Sequence, residues 1–157
     1  MAGAGCEIRD LADCPQHLPT VAQWMWDEWG SREGLPPEQS LRDCQGWMQR
    51  DGVPLGIVAV RGADILGCMC LHPRDLEERP DLTPWMACQY VLPQMRGRGV
   101  AMALSEALEA KARRLGFAKI YMWTEHNPVI YARYGYAPLF AAHYCGAPIM
   151  ILGKDLT

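Results

Sequence analysis

The chain has 157 residues, half of them apolar and 21% charged, which suits a single domain with a buried core spanning residues 1–157. A net charge of −3 gives no basic footprint for nucleic acid, and no apolar run approaches the ~20 residues of a membrane span. Seven cysteines without zinc-ligand spacing read as free thiols, and the opening Met1-Ala-Gly-Ala-Gly-Cys6 lacks a signal-peptide pattern, so a cytoplasmic protein without a metal is expected.

In chain order, Glu7 to Leu11 is a short strand, and His17 to Trp29 is a helix with Leu18, Val21, Ala22, Met25, Trp26 and Trp29 at helical spacing. That spacing puts Trp26 and Trp29 on the core face and Trp24 off it. A second helix is predicted from Pro37 to about Arg50, with proline at its start. Leu55 to Val60 and Ile65 to Leu71 flank the turn Arg61-Gly-Ala-Asp64 as a hairpin. His72 to Thr83, rich in charge and proline, reads as a solvated loop before a third strand from Trp85 to Leu92.

Gly99 to about Leu115 is helical, with a basic last turn and Gly116 beyond it. Lys119 to Thr124 is a strand, Pro128 to Tyr134 a short helix, and the remainder two strands around Tyr144-Cys-Gly146. The order βααβββαβαββ predicts an α/β domain of the α+β type. It would have a mixed, largely antiparallel sheet of six to seven strands, flanked by about four helices.

Chemistry concentrates in Tyr90-Val-Leu-Pro-Gln-Met-Arg-Gly-Arg-Gly-Val-Ala101, where a strand ends, the chain turns and a long helix begins. A helix start offers backbone N–H groups and the positive end of the macrodipole to an anion. Gly97 and Gly99 would let that backbone approach a pyrophosphate, and Arg96 and Arg98 would add charge and forked donors. A turn that only caps the helix would carry the same glycines. A dinucleotide fingerprint is excluded by Met102 in place of its third glycine, and a phosphate loop ending in Gly-Lys-Ser/Thr is absent.

This stretch resembles the GNAT superfamily of acetyl-CoA-dependent N-acetyltransferases. Its pyrophosphate motif, [RQ]-x-x-G-x-[GA], is met by Arg96-Gly97-Arg98-Gly99-Val100-Ala101. The strand Tyr90 to Pro93 and the block Trp123-Thr124, Asn127 and Tyr131-Ala-Arg-Tyr-Gly135-Tyr136 are similar as well. The resemblance covers Leu55 to Leu156 and implies a GNAT-like fold. It also implies acetyl transfer from acetyl-CoA to a primary amine of a small molecule or a peptide N-terminus. A non-catalytic module that holds acetyl-CoA as a sensor or scaffold is the alternative. A homodimer is compatible with the resemblance, and no feature of the sequence decides it.

By the same resemblance, pantetheine would pair along Tyr90, Val91 and Leu92, with the N–H near Val91 polarising the acetyl carbonyl. The turn Arg96 to Ala101 would hold the pyrophosphate. Asn127 would bond the pantetheine, although its spacing to Tyr131 is shorter than is common in the family. Tyr131 would be the general acid for the departing thiolate, a phenol and a thiol being close in acidity. Many relatives carry a general base on the strand before the turn, but Trp85 to Tyr90 has no carboxylate. Glu28 or Asp81 is the candidate base, with Asp75, Glu77 and His126 as further candidates. The acceptor would lie among the first two helices, the His72–Thr83 loop and the C-terminal hairpin. There Asp75, Glu77, Glu78 and Asp81 would attract a cation, partly offset by Arg74 and Arg79.

Overall fold

Residues 5–157 are described by a computed structural model; the reading of Met1 to Ala4 lies outside them. The chain runs β1 (Glu7–Asp10), α1 (Leu18–Met25), α2 (Pro37–Gln45), β2 (Leu55–Arg61), β3 (Asp64–His72), β4 (Trp85–Val91) and α3 (Val100–Arg114). β5 (Lys119–Thr124), a 3-10 turn (Pro128–Tyr134), β6 (Ala137–Tyr144) and β7 (Ala147–Asp155) complete it. The seven strands form one sheet in the order β1-β2-β3-β4-β5-β7-β6. Every neighbouring pair is antiparallel except β4 and β5, which are parallel.

β2 shows why the sheet is covered on both sides. Its residues are buried from Leu55 to Val60, a continuous apolar run rather than an alternating one. Leu55, Ile57 and Ala59 face α3, whose stripe Val100, Leu104, Leu108 and Ala112 repeats every four residues. Val58 and Val60 face the other way, onto Val21, Ala22 and Met25 of α1 and Cys44 of α2. Helix α3 comes close to the sheet over Gly67, where an added Cβ would sit 2.7 Å from the Tyr90 carbonyl oxygen and 3.4 Å from side-chain carbons of Leu104 and Val100.

The sequence expectations shift in three places. The first helix ends as an α-helix at Met25 and widens into a π turn, Trp26–Gly30, with Ser31 N donating to Trp26 O at 2.8 Å. Gly30 permits that packing, since a Cβ there would meet Ser40 Oγ at 2.8 Å and Trp26 Cδ1 at 3.0 Å. The second helix stops at Gln45, because Trp47 turns into the core and its carbonyl accepts Gly56 N at 3.0 Å, leading the chain into β2. Finally, the His72–Thr83 loop is not simply solvated. Leu76 and Leu82 are buried with Trp85, Ile149 and Ile151, and Trp85 Nε1 donates to Leu82 O at 2.8 Å. The loop thus covers Trp85 and Ala87 of β4 and Ile149 and Ile151 of β7.

A buried polar network ties α3 to the C-terminal strands. The Tyr136 hydroxyl donates to Glu109 Oε1 at 3.0 Å, and Lys154 Nζ donates to Glu109 Oε2 at 2.8 Å. The Glu109 side chain is 7% exposed, so its charge needs these partners, with Arg113 at 3.9 Å as a third. Burial, reinforced by that carboxylate, pushes the Tyr136 phenol well up from its ordinary range. Replacing Lys154 by Met should lower the unfolding free energy by about 2 kcal/mol in a urea titration. An unchanged midpoint would show that the network adds nothing to stability.

Candidate functional site

β4 and β5 are joined at one register point, Trp85 opposite Tyr121, where Tyr121 N donates to Pro84 O at 3.0 Å. Beyond it the parallel strands part, and a cleft of about 1450 Å³ lies along their C-terminal ends. β4 also carries a bulge. Cys68 pairs with Tyr90 and Cys70 with Ala87, so Cys88 and Gln89 together oppose Met69 alone. Cys88 takes a positive φ of 57°, uncommon for a residue with a side chain. Past the bulge, Leu92 N donates to Leu66 O at 2.9 Å, which makes Val91 a non-bonded position of the antiparallel ladder. Its N–H and C=O therefore turn to the β5 side, where the strands have separated.

At one end of the cleft the chain turns from β4 into α3. Gly97 and Gly99 have φ of 74° and 85°, in the region that only glycine enters freely, and Gly99 sits at the N-cap of α3. Ala103 N returns to Gly99 O at 3.0 Å, so helix geometry leaves the amides of residues 100–102 without acceptors inside the helix. An added Cβ on Gly97 would meet nothing within 4 Å. Arg98 is exposed on the turn. Arg96 folds back instead, its Nε donating to Val91 O at 3.0 Å and its guanidinium lying 5.7 Å from the Tyr90 ring centre.

At the other end stand side chains brought from far apart in sequence. Trp123, near the end of β5, donates from Nε1 to Asp75 Oδ2 at 2.6 Å. Its ring meets Tyr144 edge-on at 4.8 Å, and Arg32 lies 5.0 Å over the same tyrosine while its Nη1 donates to Glu125 Oε1 at 2.9 Å. Burial raises the Asp75 carboxyl from 3.8 to about 6, against the pull of the indole donor and with a small addition from Glu33. Burial likewise lowers His72 and raises the Tyr144 phenol and the Cys70 and Cys88 thiols. These two thiols are therefore held neutral, as structural cysteines are.

The sequence-derived candidates distribute unevenly. Tyr90, Val91, Arg96, Gly97, Gly99, Val100 and Ala101 line the cleft, as do Tyr131 and Glu28. Leu92 packs against the core beneath α3. Asn127 caps the 3-10 turn, its Oδ1 accepting Val129 N at 3.0 Å. Asp81 is exposed and paired with Arg79 by two hydrogen bonds of 2.9 and 2.8 Å, away from the cleft lining. Asp75, Glu77 and His126 do line it. Trp24 is neither idle nor a pocket wall. It packs against the cluster beneath α1 and lies 4.6 Å from the Tyr90 ring, while Trp26 spends its N–H on Leu35 O at 2.9 Å. Among the described residues no three His, Cys, Asp or Glu side chains gather as a metal site, and no helix is long and apolar enough to cross a membrane.

The family model described as Acetyltransferase (GNAT) family matches residues 18–136. No curated protein matches the chain. Among solved structures, an aminoglycoside 6'-N-acetyltransferase complexed with coenzyme A is 14% identical, with 96% of this chain and 97% of that one covered and a TM-score of 0.76. The aminoglycoside 6'-N-acetyltransferase from Enterococcus faecium is 15% identical over 96% and 97%, at 0.70. An acyl-CoA N-acyltransferase from Pseudomonas aeruginosa is 18% identical over 95% and 97%, at 0.65.

The raised Asp75 carboxyl has a consequence for stability. The folded state holds this proton more tightly than the unfolded chain, so the stability it contributes is full below pH ~4 and is lost as pH rises through about 6. Asp75→Asn keeps an acceptor for the indole and cannot ionise. It should unfold like wild type at pH 4 and be more stable at pH 8 by on the order of 1–3 kcal/mol. Equal stability at both pH values would show that Asp75 titrates as in the unfolded chain.

Proposed function

The chain belongs to the GNAT acetyltransferase family, and on that premise we propose that it is an acetyl-CoA-dependent N-acetyltransferase acting on a primary amine of a small molecule or a peptide N-terminus. The observation that carries this reading is the parted end of β4 and β5, with an anion-binding turn at one end of the cleft and a raised carboxylate at the other.

The residues present fit the coenzyme. Arg96, Gly97, Arg98, Gly99, Val100 and Ala101 would hold a pyrophosphate through backbone N–H groups and two guanidiniums, and open space over Gly97 admits it. Along Tyr90, Val91 and Leu92 the backbone groups of Val91 would pair with the pantetheine arm, using the edge that β5 leaves free, and the Asn127 amide nitrogen would donate to it. Bound acetyl-CoA supplies an acetyl group activated as a thioester.

On the acceptor side, an amine at neutral pH is an ammonium without a lone pair, so a proton must leave before attack. Asp75, with its midpoint near 6, is ionised at pH 7 to 8 yet basic enough to take that proton. Asp81, committed to Arg79 outside the cleft, is set aside as base, and Glu28 would help to hold the cation. The Val91 N–H would polarise the acetyl carbonyl. Tyr131, lining the cleft beyond the end of β5, would give its proton to the departing sulfur. The cleft lining sets Glu28, Glu33, Asp43, Asp75, Glu77 and Glu125 against Arg32, Arg42, Arg74 and Arg96, an acidic balance that favours a cationic acceptor and suits the aminoglycoside transferases among the structural neighbours. The sensor reading rests on a missing carboxylate in β4, and Asp75 supplies one from the neighbouring loop.

Isothermal titration with acetyl-CoA should give micromolar affinity, lost by at least tenfold in Arg96→Ala with Gly99→Glu; unchanged affinity would remove the pyrophosphate site. Thiol release should depend on amine when aminoglycosides, polyamines and short peptides are supplied, and binding without release from any of them would favour the sensor. Tyr131→Phe should lower kcat about a hundredfold with coenzyme affinity retained, and full activity would eliminate it as the acid. Asp75→Asn should abolish the acidic limb of kcat/KM, and a limb that persists would exclude it as the base.

A further inference from the structure

Asp75 stands in a segment without regular structure, between β3 and β4, and an aspartate there has two free torsions. A base that must meet an incoming amine within hydrogen-bond reach needs those torsions fixed. The contact that fixes them comes from Trp123, 48 residues away, at 2.6 Å. An indole N–H is a donor only, so it binds the carboxylate form in preference to the acid and occupies one oxygen.

The tryptophan is held in turn. Its ring meets Tyr144 edge-on, and Arg32 lies over Tyr144 while bonding Glu125, two residues beyond Trp123 on the same chain. Contacts thus close a ring from the segment after α1, through the β6–β7 hairpin, back to the end of β5. Packing alone would need only the rings; the indole donor adds a polar contact that packing does not require.

We infer that Trp123 is a positioning residue for acetyl transfer, clamping Oδ2 of Asp75 and leaving Oδ1 as the oxygen that meets the acceptor amine. This rests on the reading of Asp75 as the base. The clamp has an electrostatic side as well. The Asp75 charge helps to hold the thiols of Cys70 in β3 and Cys88 in β4 neutral; Glu33 opposes its ionisation, and His72 and Arg74 flank it along the chain. The indole is the donor that favours the charged form against that burial, so it keeps Asp75 ionised at neutral pH.

The test is the titration of Asp75 itself, followed by carboxyl carbon NMR in protein labelled at aspartate, with Asp75→Asn identifying the signal. Trp123→Phe keeps a ring against Tyr144 and loses the donor. The Asp75 midpoint should rise by about one pH unit, and the acidic limb of kcat/KM should move with it. A midpoint that stays put overturns the role of Trp123, whatever the activity. A second measurement needs no change at Trp123. In the wild type its indole N–H resonance should shift with the Asp75 midpoint and become independent of pH in Asp75→Asn; a resonance flat from pH 4 to 8 in the wild type overturns the clamp. An Asp75→Asn enzyme with undiminished amine-dependent thiol release overturns Asp75 as the base, and with it the catalytic role of Trp123, even where the titrations are coupled.

Discussion

β4 and β5 run parallel yet meet at one register point, Trp85 against Tyr121, and past it their facing backbone groups have no ladder to complete. Buried peptide groups without partners are costly, so an opening of this kind persists only where water or a bound molecule satisfies them. The site proposed above lies along that opening. The turn into α3 closes one end, the His72–Thr83 loop and the hairpin of β6 and β7 close the other, and the free edge of β4 runs between them.

What keeps the strands from closing is packing on both sheet faces. Beneath α3, Leu104 and Leu108 bind β3 and β4 to Ile120 and Met122 of β5 in one cluster. On the opposite face Trp85, Ile149 and Ile151 are roofed by Leu76 and Leu82. With both strands anchored at their buried ends, the outer ends are free to diverge. The Glu109 network then fixes the segment carrying Tyr131, because Tyr136 lies just beyond that segment and is pinned to α3.

Much of the architecture is legible in the sequence because its signals are local. Val100, Leu104, Leu108 and Ala112 announce a helix by spacing alone, and Gly97 and Gly99 announce the turn that leads into it. The acceptor end is not legible for the opposite reason. In sequence Asp75 is one of several acids in a loop rich in charge and proline, and only the long-range contact with Trp123 separates it from Asp81, which has the same chemistry but an exposed ion pair. The 3.6-residue period alone does not place Trp24 and Trp26. Trp24 lies three residues after Val21, on the flank of the buried stripe, and Trp26, still at regular α spacing, lies on the opposite flank with its N–H turned to Leu35 O.

That π turn has an evolutionary reading. Its five residues, Trp26–Gly30, carry bonds spanning five residues where an α-helix would use four, so the turn holds one residue more than regular geometry requires. Losing a single residue here would restore the ordinary helix and rotate the segment beyond it by about 100°. Glu28, Trp29 and Arg32 would leave the cleft wall together, while the sheet and the turn from Arg96 to Ala101 stayed as they are. A one-codon deletion would therefore reshape one lip of the cleft, and with it the seat of Trp29, which also packs on the core cluster beneath α1.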